Sequence, residues 1–151
     1  MISLSASVTL LVAACGYNKV AECNQLIDGI NKGHAIVTNF QGNDAAAANK
    51  LADGLDSTLA QLEKIELKDK QLQGFKSRFT EIYRDLSKAF RTTAKALVTA
   101  KSADETQAGL EKVKKARSEV EASAKIAEQA AEKADVLAAE INNYCLGKKA
   151  D

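Results

Sequence analysis

Not one of the 151 residues is proline, and apolar side chains recur along most of the chain at alternating steps of three and four. Proline in a helix interior removes a hydrogen bond and clashes with the preceding turn, so its absence leaves long helices unbroken. A repeat averaging three and a half residues sets one apolar stripe on each helix and directs that stripe toward a neighbour. The composition agrees: 46% of the residues are apolar and 27% charged, with 27 alanines and only seven aromatics. Sheet sandwiches and barrels turn on Pro and Gly, which argues against an all-β fold. The formal net charge of +1 with this apolar content argues against disorder. The length suits one domain.

Four segments carry the repeat. The first places Val20, Cys23, Ile27, Ile30, His34 and Val37 on one face, then breaks over 38–44, where Asn39, Gly42 and Asn43 supply turn chemistry. The second, over 44–66, aligns Ala48, Leu51, Leu55, Thr58, Leu62 and Ile65, with Leu59 widening the stripe. The third, over 69–101, carries Leu72, Phe75, Phe79, Ile82, Leu86, Ala89, Thr93, Ala96 and Ala100, broadened by Tyr83, Phe90 and Leu97. It holds four of the aromatics and is expected to supply most of the core. Ser102 followed by Glu105 reads as a capping box opening the fourth segment, over 103–144. Its seam of Val113, Ala116, Val120, Ser123, Ala127, Ala130, Ala134, Leu137, Ile141 and Tyr144 is largely alanine, which lets helices approach closely. Gly147 with Lys148 and Lys149 reads as a stop and a tail.

The expected fold is all-α, an antiparallel up-down four-helix bundle over residues 20–146 with long third and fourth helices. A helix of about 23 residues cannot run beside all of one of about 40, so one end of the long pair should protrude or bend. Three helices with a mobile first segment are the alternative.

The first 14 residues are uncharged and carry a short apolar stretch through Val8, Leu10, Leu11 and Val12, too short to span a bilayer. Val12, Ala13, Ala14 and Cys15 resemble the lipobox of bacterial lipoproteins, an aliphatic residue and two small ones before the cysteine that is acylated. The resemblance implies a signal peptide over 1–14, removed on maturation, diacylglycerol on the Cys15 thiol, an acylated new amino terminus and a short linker over 15–19. It implies a periplasm-facing protein held in the cell envelope, and Gly16, where enteric inner-membrane lipoproteins carry aspartate, leans toward the outer membrane. The chain departs from the pattern in having no basic residue before Lys19. The same stretch can also be read as the start of the first core helix with Cys15 a buried thiol, or as an ordinary cleaved secretory signal.

With Cys15 assigned to lipid, Cys23 and Cys145 remain, near opposite ends of the chain. An even remainder in an exported protein suggests a disulfide, and an even number of antiparallel helices brings those ends together. Two separate buried thiols are the alternative. Two cysteines and the single His34 show no metal-ligand spacing, so no metal is expected.

Charge is segregated. The span 70–101 carries eight basic residues against Glu81 and Asp85, whereas 44–69 and 103–147 are each net −3. Arg84, Lys88, Arg91 and Lys95 share a stripe that could face an anionic lipid or protein partner, though mutual neutralisation between neighbouring helices is the simpler explanation. Near-neutral charge and core-facing aromatics argue against nucleic acid. His34, with Phe79, Tyr83 and Phe90, could line a ligand pocket or sense pH, or His34 could sit at the core edge. No phosphate loop, nucleophile elbow or covalent haem motif is present, and carboxylates such as Glu128, Glu132 and Asp135 lack the partner histidines of a di-metal bundle. The expectation is a non-enzymatic, lipid-anchored structural or interaction module with no cofactor, the alternative a periplasmic ligand-binding or sensory bundle.

Overall fold

The computed structural model describes residues 18–147 and forms four helices, α1 (Lys19–Thr38), α2 (Ala45–Glu63), α3 (Lys70–Lys101) and α4 (Gln107–Cys145), with no strand among the described residues. They pack as a four-helix bundle in which α3 is the shared partner: α2 and α4 both lie along it, α1 packs chiefly on α2, and α2 and α4 do not approach one another.

Each helix starts at a side chain that accepts an otherwise unpaired backbone N–H. Asn18 accepts from Ala21, Asp44 from Ala47, Asp69 from Gln71 and Leu72, and Thr106 from Gly109. The last of these corrects the expected capping box. Ser102 instead ends α3, its hydroxyl donating to the Thr99 carbonyl at 3.1 Å. The Asp104 carboxylate accepts from the Thr106 hydroxyl at 2.6 Å and delays the helix to Gln107, and any side chain at Gly109 would run into the Asp104 carbonyl. Thr106→Ala should therefore cost about 1 kcal/mol, read as a shift in the urea midpoint with unchanged slope.

The core forms around α3, where Leu72, Phe75, Phe79, Ile82, Tyr83, Leu86, Ala89 and Ala96 are buried along the expected stripe. From α2 it takes Ala48, Leu51, Leu55, Thr58 and Leu62, as the spacing predicts, together with Ala52. From α4 it takes Ala116, Ser123 and Ala130, seven residues apart, then Leu137 and Ile141. Val113 does not join them and stays 41% exposed.

The stripe of α1 differs from the expected one. Its buried positions are Cys23, Leu26, Gly29, Ile30 and Gly33, whereas Val20 is 63% exposed and His34 is exposed. The cause is Tyr83, whose hydroxyl crosses from α3 to donate to the Ile30 carbonyl at 2.7 Å. Its ring occupies the space a Cβ at Gly33 would need, and Leu62 and Ile65 take the space beside Gly29. Two glycines, rather than His34, thus centre the face on which α1 settles, with Ile27 and Val37 partly buried against the core beside it.

The unequal lengths resolve at the end away from the α2–α3 turn. Phe40, just past α1, packs on Phe90 with ring centroids 5.9 Å apart. Beyond that level α3 continues for eleven residues, and near the α3–α4 turn Val98, Leu110 and Val113 are exposed.

Candidate functional site

Three regions collect the residues that the sequence marks. The first is the end of the bundle where α1 begins. Cys15 and residues 1–14 lie outside the described residues, but Asn18, three positions after Cys15, is the N-cap of α1. Here the Glu22 carboxylate accepts the backbone N–H groups of Lys68 and Asp69, which ties α1 to the α2–α3 turn. Lys19 lies over the Tyr144 ring, 3.5 Å from its centroid, and donates to the Tyr144 carbonyl. Tyr144 donates its hydroxyl to Asp69 at 2.7 Å and sets its ring edge against Phe75. The sulfurs of Cys23 and Cys145 stand at disulfide-bonding distance, with Cα atoms 5.9 Å apart. Every helix or its adjoining turn therefore has a tie within this one end.

Two tyrosines in these contacts resist ionisation. Burial pushes Tyr83 up to about 12, and the hydrogen bond to the Asp69 carboxylate, aided by burial, pushes Tyr144 up to about 12. An unfolded tyrosine titrates near 10. The contribution of these hydroxyls is thus complete below pH 10 and is lost as the pH rises from about 10 through about 12. Melting temperature should be flat from pH 8 to 10 and fall steeply above it, with Tyr83→Phe making the fall shallower; a steep fall already complete by pH 9 would contradict these assignments.

The second region is the basic stripe of α3. Arg91 reaches Asp53 at 2.8 Å and also Asp56, and Arg84 reaches Glu63 at 3.3 Å, so two of the four residues are engaged with α2. Burial raises the pKa of Asp56, but hydrogen bonds from Ser87 and Arg91 and the Arg91 charge outweigh it and hold that pKa below the usual carboxylate range. Lys88 turns the other way and lines a groove against α4, and Lys95 is exposed. On the α4 side Arg78 pairs with Glu140. Such exposed pairs contribute little stability singly, yet they match the basic helix to its two acidic neighbours.

The third region is a groove of about 490 Å³ lined only by α3 and α4. Its floor includes Ile82, Ala89, Ile126, Ala130 and Leu137, and its banks carry Glu81, Asp85 and Lys88 on α3 and Glu119 and Lys133 on α4. Glu119 pairs with Lys115 along α4 at 4.0 Å, whereas Glu81, Asp85, Lys88 and Lys133 make no ion pair among the described residues. Sequence reasoning missed this feature, because Ile126, 44% exposed, lies one step off the α4 seam. The signal available was an isolated isoleucine on an otherwise polar face.

His34, Phe79, Tyr83 and Phe90 do not line this groove. Phe79 and Tyr83 are core residues packed on each other, Phe90 packs on Phe40, and His34 is exposed. Among the described residues there is no group of three or more His, Cys, Asp or Glu that could hold a metal, and no helix long and apolar enough to cross a membrane. Comparison with known proteins finds no matching family model, curated protein or solved structure.

Proposed function

We propose that this chain is a lipid-anchored protein of the bacterial cell envelope, attached through acylated Cys15 and facing the periplasm, whose bundle acts as a non-enzymatic structural or interaction module. The observation that carries this reading is the coincidence of two features at one end. The lipobox-like Val12-Ala13-Ala14-Cys15 precedes α1 by three residues, and that end holds the Glu22, Lys19–Tyr144, Tyr144–Asp69 and Cys23–Cys145 ties.

A tether pulling on Asn18 would otherwise peel α1, a 20-residue helix whose contacts to α4 are few, away from the bundle. The ties pass that load to α2, α3 and α4. More than one acyl chain makes attachment stable, since each buried CH₂ contributes about 0.8 kcal/mol. The hairpin of α3 and α4 would then point away from the membrane and present its groove and exposed tip to the periplasm. Gly16 favours the outer membrane.

The test is fractionation of a bacterial host expressing the full chain. The wild type should sediment with membranes and resist extraction by high salt, whereas Cys15→Ser should appear in the periplasmic fraction with its helical circular dichroism intact. Equal membrane association of the two proteins would refute the anchor.

A further inference from the structure

We propose that the α3–α4 groove is the contact face for a second copy of this chain, the two copies lying side by side in the same direction about a two-fold axis parallel to the bundle. The groove runs along α3 from Arg78 to Thr92, about 20 Å at about 1.5 Å per residue. Its floor is apolar but for the buried Ser123, with Ile126 standing out of it, and no buried side-chain polar atom among the described residues lacks a hydrogen-bond partner. A small-molecule site needs a few converging polar groups to orient its ligand. A long apolar trough with charges confined to its banks is instead the seam into which a helix packs, with the flanking charges selecting partner and direction.

The charges choose the occupant. The Arg78–Glu140 pair fixes which residues of α3 and α4 stand level. Seven residues from Arg78 along α3 is Asp85, and seven residues back from Glu140 along α4 is Lys133, so Asp85 and Lys133 are level on opposite banks. A two-fold axis along the groove sets the α3 bank of one copy against the α4 bank of the other at equal height. Asp85 then meets Lys133 of the second copy, twice by symmetry, with Glu81 and Lys88 about one turn to either side on the same bank, so that two carboxylates and one ammonium surround each Lys133, while Ile126 of both copies falls close to the axis. With the axis turned across the helices, α3 would meet itself antiparallel. Asp85, midway between Arg78 and Thr92, would then face its own copy, a like-charge contact. The parallel arrangement is therefore the complementary one, and it leaves both α1 starts at the same end.

The experiment measures the molar mass of the full chain in mild detergent, by light scattering that subtracts the detergent, with far-UV circular dichroism as the folding control. The wild type should have twice the chain mass. Asp85→Lys and Lys133→Asp should each weaken self-association by about tenfold or more, and the double variant should restore it. Ile126→Asp should give a folded monomer. Ile126→Cys should be joined to a second copy by a short bis-maleimide, with the Cys23–Cys145 pair left oxidised. A monomeric wild type up to about 0.1 mM, a dimer indifferent to all three single substitutions, a double variant that stays monomeric, or Ile126→Cys joined only to a different protein would each overturn the proposal. Because mass is read on the chain with or without its acyl groups, a Cys15→Ser dimer supports the groove contact even where the anchor fails.

Discussion

Replacing Cys23 or Cys145 with serine is expected to lower the unfolding free energy by up to about 5 kcal/mol, the value for closing a loop of over a hundred residues in the chain-entropy model. The two cysteines are 122 residues apart, so the pair closes nearly the whole described chain. The loss should also be local in character. Contacts between α1 and α4 are few, and those known in detail, the cysteine pair and Lys19 on Tyr144, sit at the start of α1. Without the cross-link, amide exchange in the first two turns of α1 should accelerate before the α3 core does. Urea unfolding of oxidised and reduced wild type measures the global term, and alkylation of the unreduced native protein checks the premise. Full labelling of both thiols without reductant would contradict it.

Gly33→Ala should be comparably damaging, at about 2 to 6 kcal/mol. An added methyl group at this buried position enters the ring of Tyr83. Tyr83 is itself buried and cannot move outward without giving up its hydroxyl bond to Ile30. Overpacking a core of this kind costs about 1 to 3 kcal/mol, and a buried hydroxyl left without its partner adds about 1 to 3. The same methyl group at Gly74, which has open space around it, meets no such obstacle. Gly74→Ala, at an exposed position of α3, should stabilise the protein by up to about 1 kcal/mol. Denaturant midpoints of the two variants, opposite in sign, test the docking of α1 on α3. If Gly33→Ala matched the wild type, the position of Tyr83 would be wrong.

The stripes of α2 and α3 were legible because large aliphatic and aromatic residues mark them. Leu51, Leu55 and Leu62, and Phe75, Phe79 and Leu86, fall where the three-four spacing puts them. The face of α1 was not, for a physical reason. A glycine carries no hydropathy signal, and Gly29 and Gly33 are core positions only because Leu62, Ile65 and Tyr83 reach into the space they leave. The spacing therefore favoured His34, one residue along. The opening of α4 failed similarly: Ser102, Asp104 and Thr106 are all good capping residues, and the Asp104–Thr106–Gly109 contacts decide among them. The groove was hidden because it belongs to neither helix alone. It exists where the banks of α3 and α4 face outward together, and the level placement of Asp85 and Lys133 follows only from the Arg78–Glu140 register.

The charge pattern shows how sequence and structure divide the work. A basic α3 between two acidic segments is plain from counting, and Arg84, Arg91 and Arg78 do reach Glu63, Asp53, Asp56 and Glu140. Which charges remain outside that matching required the structure. Lys88 and Asp85 are turned toward the groove, on the side of α3 that α2 does not cover.

The reading as an anchored envelope module rests most directly on Cys15, and the intact mass of the full chain purified from bacterial membranes tests it in one measurement. The account predicts a chain beginning at Cys15, short of the first 14 residues, heavier than its residues alone by a diacylglycerol and an amide-linked acyl group, and lighter by two hydrogens for the Cys23–Cys145 bond. An unacylated chain that still begins at Met1 would contradict it.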